Sequence, residues 1–222
     1  NVDAWMLRGD LARTMADQAG ASAAYQKVIE LSPENVAARL NLASLQVAAG
    51  SIDDARKEID AARKIAPGNP LAVYMQALTE FRQKNYTAAR ETVSKVLKVA
   101  PNHMPSVLLA GATDFALGSH AQAQASLGLV VERAPGNLYA RKLLVASLAK
   151  SGQAQRAVAV LQPALAQAPD DAALMTLAGE VYMQNNEYPK AVQFFEKAAK
   201  LDPKSAGVRT ELGLNRLAAG EN

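Results

Sequence analysis

The chain has 222 residues, half of them hydrophobic but only 5% aromatic, with a formal charge of +3 and no cysteine. This balance favours closely packed helices over a sheet sandwich, and it excludes a disulfide framework, a thiolate nucleophile and a cysteine-held metal. The charge is spread without like-signed runs, which argues against a nucleic-acid tail, and apolar stretches such as 106–112 fall far short of the roughly 20 residues of a membrane span.

Along the chain, prolines stand at 33, 67, 101, 135, 169 and 203, each 34 residues after the last. Framed so that a unit ends two residues after its proline, the repeats are 2–35, 36–69, 70–103, 104–137, 138–171 and 172–205, with a partial seventh, 206–222. Every unit holds two stretches of helical periodicity separated by two breaks. The first break falls at the fifteenth repeat position, where Gly50, Gly118, Asn186, Gly152 and Gly220 suit the left-handed turn that ends a helix A. The second is the proline, which disfavours helix in the residue before it and ends helix B. Pro163 lies inside the fifth helix B and is expected to kink it or start it anew.

Small residues mark the places where helices meet. The twentieth position is alanine in all six units (Ala21, Ala55, Ala89, Ala123, Ala157, Ala191), and the eighth is Gly9, Ala43, Ala77, Gly111, Val145, Gly179 and Gly213. The twenty-fourth supplies a larger filler: Tyr25, Ile59, Val93, Leu127, Leu161 and Phe195. A small residue on each of two facing helices lets their axes approach while the filler occupies the groove.

The first unit carries Trp5, Gly9, Ala21, Tyr25 and Pro33, and the sixth Gly179, Tyr182, Ala191, Phe195 and Pro203. This pattern resembles the tetratricopeptide repeat family, although Arg8 and Ala12 depart from the family's leucine and tyrosine. The resemblance covers essentially the whole chain. It implies an all-α solenoid, a right-handed superhelix of antiparallel helix pairs forming a single array over 1–222, whose neighbours must stack because a lone repeat cannot bury its apolar face. As the partial seventh unit stops where a second helix would be due, the segment is expected to belong to a longer array.

No cofactor or catalytic signature is present: no P-loop, dinucleotide fingerprint, nucleophile-elbow serine or HExxH. His103 and His120 fall in predicted turns and read as solvated residues rather than a metal pair. Glu80 and Asp114 depart from the apolar eleventh position and could share a proton or a basic ligand. The plainer reading is that they lean to solvent or pair with a local arginine such as Arg82. An enzyme is therefore disfavoured, with these two acids its only support.

In the superhelices that the resemblance implies, the A helices line a concave face. Its repeat positions select Leu71, Tyr74, Leu78, Phe81, Arg82, Leu108, Phe115, Tyr139 and Lys142. An apolar, aromatic strip of this kind suits a protein or peptide partner, whereas single-stranded RNA would need a basic groove. The alternative is that these side chains pack against the next repeat and the chain is a spacer. The lysine–asparagine clamp for a terminal carboxylate is incomplete: Asn41 has Met6 and Asp10 as neighbours in the pattern, and Lys142 has no matching asparagine. The stretches 108–165 and 209–221 also resemble the bacterial repeat lipoproteins of PEP-CTERM/exosortase systems, linked to exopolysaccharide production and surface-protein sorting. That likeness implies a parent in the periplasm or tethered by lipid to the outer membrane, with a cytoplasmic location as the alternative.

Overall fold

The computed structural model describes residues 1–220, and all its regular elements are helices. In chain order these are α1 (Val2–Thr14), α2 (Gln18–Leu31), α3 (Val36–Ala48), α4 (Ile52–Ile65), α5 (Pro70–Arg82), α6 (Tyr86–Val99), α7 (Met104–Ala116), α8 (His120–Arg133), α9 (Leu138–Lys150), α10 (Ala154–Gln167), α11 (Ala172–Gln184), α12 (Tyr188–Leu201) and α13 (Ala206–Ala219). Odd-numbered helices are the A helices of the 34-residue frame and even-numbered ones the B helices. The chain separates into two compact units, one of residues 1–113 and one from Asp114 onward, the boundary falling inside α7. In the first unit α1 packs on α2, α3 on α4 and α5 on α6, and each B helix also packs on the following A helix, α2 on α3 and α4 on α5. The second unit repeats the scheme in α8 to α13.

The three small-and-large positions form the core of both units. None of the six alanines at position 20 exposes any surface, and the six fillers at position 24 are equally enclosed. The contact is close enough to fix side-chain size: a Cβ built on Gly9 would lie 2.5 Å from the Tyr25 ring, and one on Gly179 would lie 2.7 Å from the Phe195 ring. Gly213 occupies the same repeat position, yet a Cβ there would meet nothing within 4 Å.

Both breaks follow one geometry throughout. Position 15 has positive φ in every repeat: Gly50, Gly118, Gly152 and Gly220 at +71 to +81°, and also Ala16 (+59°), Lys84 (+63°) and Asn186 (+61°). The following amide returns to the carbonyl of position 11, as in Ser51 to Gln46 (2.8 Å), Asn85 to Glu80 (2.9 Å) and Glu187 to Tyr182 (2.9 Å). This is the six-to-one bond of a Schellman close. The proline break leads into a capped start. Asn35, Asn69, Asn137 and Asp171 each accept a backbone N–H three residues on, at 2.9–3.1 Å, satisfying one of the orphan donors of the helix. Pro163 does not restart its helix; α10 runs through it, with the ring on an exposed side.

The two histidines are half-buried rather than solvated, because both sit at helix starts packed by an aromatic ring. His103 stands in the capping place before α7, its Nδ1 2.8 Å from Ser106 Oγ and its ring edge-on to Tyr74 at 5.4 Å. His120 begins α8 with its ring 5.8 Å from Phe115.

Two substitution pairs test these contacts by urea unfolding. Gly179→Ala forces the Phe195 ring to shift and is expected to cost about 1–3 kcal/mol, whereas Gly213→Ala, at the same repeat position in open space, gains about 1 kcal/mol of helix propensity. Lys84→Gly and Ala16→Gly relieve left-handed strain and should each stabilise by about 1 kcal/mol; a loss at either site would refute the strain.

Candidate partner-binding surface

In the first unit, positions 2, 5, 9 and 12 of α5 place Leu71, Tyr74, Leu78 and Phe81 on one helical face, since successive residues turn by about 100°. Their degrees of burial differ. Tyr74, Leu78 and Phe81 are half-buried against a shared cluster of Ala77, Val93, Leu109 and Ala110, and Tyr74 and Leu78 also touch the cluster around Ile59 and Met75. Desolvation raises the Tyr74 hydroxyl above its ordinary pKa, with the Arg82 charge opposing. Phe81 tilts against the Tyr86 ring at 5.4 Å. Leu71 remains 48% exposed, Arg82 is exposed, and Leu108 on α7 is half-buried. The strip is thus a packed ridge with exposed Leu71 and Arg82 near its ends.

The other three candidates belong to the second unit. Phe115 is half-buried against His120, and Tyr139 is 50% exposed at the start of α9. Lys142 is committed: its Nζ donates to Asp171 Oδ2 at 2.7 Å. That bond, with the backbone amide of Leu174 donating to the same carboxylate, holds Asp171 below the usual aspartate range against the opposing effect of burial. A cap of α11 is thereby tied to α9.

A feature outside the sequence candidates lies further along the second unit. Between α11 and α13 is a cleft of about 500 Å³ lined by Ala173, Thr176, Glu180, Gly207, Val208 and Glu211. Burial pushes the Glu180 carboxyl up from its ordinary 4.5; Glu211 adds to this and Lys150 opposes it. Glu180 occupies position 9, the same as Leu78, so the repeat frame that selected the central units would have found it if carried into the sixth.

The two acids singled out in the sequence do not behave as solvated surface groups. Glu80 accepts from Gln76 Nε2 at 2.7 Å, and Gln76 in turn accepts from Arg63. Arg82 is not among its hydrogen-bond or ion-pair partners, because it lies two residues on and therefore about 200° around the helix. Asp114 is buried. Glu80 lies in the first unit and Asp114 in the second. Among the described residues no group of three or more His, Asp or Glu is placed to hold a metal, and no helix is long and apolar enough to cross a membrane.

A tetratricopeptide repeat family model matches residues 8–79 and 148–210. No curated protein matches the chain. Among solved structures, PilW, a type IV pilus biogenesis factor, is similar at a TM-score of 0.80 and 17% identity, over 95% of this chain and 98% of that one. Pseudomonas aeruginosa pilF aligns at 0.79 and 15%, over 97% and 96%. YrrB, described as having an unusual peptide-binding site, aligns at 0.71 and 21%, over 91% and 100%. At these identities the likeness is one of fold.

Two carboxylates give opposite pH signatures. The depressed Asp171 contributes stability that is present above its unfolded pKa of about 3.8 and is lost as pH falls through the lower folded value. Asp171→Asn keeps the cap but breaks the partly exposed bridge, so it should cost under about 1 kcal/mol at pH 7. The raised Glu180 works the other way: its contribution is full below 4.5 and lost as pH rises through the folded value. Glu180→Gln should therefore raise the melting temperature at pH 7 and leave it unchanged below pH 4; an unchanged value at pH 7 would show that Glu180 is not desolvated.

Proposed function

Because the chain belongs to the tetratricopeptide repeat family, whose fold supports protein-interaction scaffolds, we propose that it holds an extended peptide or protein segment along its A helices. The observation that carries this reading is the α5 face, where Leu71 and Arg82 stay exposed along a ridge whose aromatic members are fixed by packing. A rigid apolar ridge with an exposed leucine and cation gives a partner an anchor at low ordering cost. YrrB supports the idea that such a fold can carry a peptide site.

The proposed setting is a bacterial exopolysaccharide or exosortase protein-sorting system, or an envelope assembly, with the parent protein in the periplasm or lipid-tethered to the outer membrane. This part rests on the wording of repeats 108–165 and 209–221. A second reading, a structural spacer with no groove ligand, is favoured by the half-burial of Tyr74, Leu78 and Phe81, since side chains spent on packing contribute less to a partner.

The two readings separate in a pull-down from bacterial envelope extract with the native chain beside Leu71→Glu and Arg82→Glu. Both positions are exposed, so the fold is retained; truncating Tyr74 or Phe81 would confound binding with about 2–4 kcal/mol of lost packing. At least tenfold weaker retention of a specific partner by either variant is expected. Equal retention by all three chains moves binding off this face, and an empty pull-down favours the spacer.

A further inference from the structure

The opposite side of α5 carries a feature that the groove does not use. In the second unit, position 11 of α11 is Tyr182, only 4% exposed. Its ring lies flat on Phe194, at 5.2 Å and 3°, and its hydroxyl accepts a 2.6 Å bond from Gln162 Nε2 on α10. One helix pair thus closes on the next through a large aromatic. At the corresponding three places in the first unit stand Glu80, Thr92 and Asp60.

The shorter side chains leave a cleft of about 210 Å³ between α4, α5 and the start of α6, bounded by Arg56, Asp60, Gln76, Glu80, Gln83 and Asn85. Glu80 Oε1 is bonded to Gln76, while Oε2 is shielded from solvent without a hydrogen-bond partner. A buried carboxylate oxygen left unpaired is costly. Across the cleft Asp60 is held only loosely, 3.8 Å from an Arg56 side chain that is 63% exposed. The Thr79 hydroxyl is spent on the Gln76 carbonyl. The walls therefore offer carboxylates from two helices. The cation among them, Arg56, reaches Asp60 only at 3.8 Å from a largely exposed position, and the amide of Gln76 engages only one oxygen of Glu80.

We propose that this cleft is a binding site for an arginine side chain of a partner protein. A planar guanidinium presents a fork of donors that can address two carboxylates at once. The cleft of about 210 Å³ is room for a side chain rather than for a lone water or ion. The terminal torsion of Glu80 is soft and turns Oε2 toward the incoming donors. The site lies on the far side of α5 from Leu71 and does not depend on the groove.

The test is an NMR titration of the native chain with acetyl-Gly-Arg-Gly-amide and with its citrulline counterpart, which keeps the shape and removes the charge. Saturable shifts are expected at the side-chain amides of Gln76, Gln83 and Asn85, at least tenfold weaker with citrulline and lost in Glu80→Gln. Glu80→Tyr rebuilds the Tyr182 arrangement with its hydroxyl donating to Asp60; it should melt higher than the native chain and show no binding. Absence of saturable shifts in the native chain, equal binding of citrulline, or unchanged binding in Glu80→Tyr would overturn the site. Leu71→Glu should bind the arginine peptide normally; loss of binding there would refute its independence from the groove.

Discussion

Everything in this fold depends on one contact: a helix B alanine with no exposed surface, a filler four residues later, and the residue of helix A that faces them. Four residues is about one helical turn, so alanine and filler share a stripe. The alanine lets the backbones approach, and the filler occupies what the approach leaves. Where the filler is a full ring, as in Tyr25 and Phe195, the facing residue must be glycine, because a Cβ would sit at 2.5–2.7 Å. Where it is Ile59 or Val93, alanine is admitted at Ala43 and Ala77. Val145 breaks the small-residue rule against Leu161, and both are fully buried. A ring demands glycine opposite it, but the leucine fillers accept either extreme, Gly111 facing Leu127 and Val145 facing Leu161, so close packing is held by local adjustment rather than by the identity at any single place.

That rule explains why most of the fold was legible in the sequence. A strict period exposes size complementarity at fixed offsets, and proline and glycine mark both ends of every helix with a backbone constraint. The less legible parts are those where context overrides the residue. Ala16 and Lys84 adopt a left-handed conformation that neither favours, because the Schellman bond and the flanking helices determine the turn. Pro163 stays within α10 because its ring faces outward and its neighbours Leu161 and Ala164 are locked in the core. His103 stands where four other repeats place a capping Asn or Asp, and its position in that frame was a better guide than its residue type.

The candidate site was less legible for a related reason. Repeat positions name a face, but exposure on that face depends on the neighbour one repeat on, which the periodic pattern does not encode. Tyr74, Leu78 and Phe81 share the face with Leu71, yet only Leu71 stays largely outside, because the other three pack against a cluster that includes Leu109 and Ala110 of α7. Lys142 is similar: it stands on the A helix α9, but its ammonium is held by a cap of the next A helix.

Side-chain partnerships in such an array vary from repeat to repeat while the bonds to backbone that frame them recur. Arg39 and Arg141 occupy the same repeat position and both donate to the carbonyl of the proline in the preceding turn, Pro33 and Pro135, at 2.9 Å. Arg39 also pairs with Glu58 at 2.6 Å. The equivalent of Glu58 in the second unit is Val160, so Arg141, though buried, turns to a backbone carbonyl at 3.4 Å and leaves its Nε unpartnered. The bond that ties the turn is kept while the counter-charge is not. A junction whose framework is secured by backbone bonds and small-residue packing can change its side-chain chemistry without losing the fold, and the change from Tyr182 to Glu80 is the same freedom exercised one position class away.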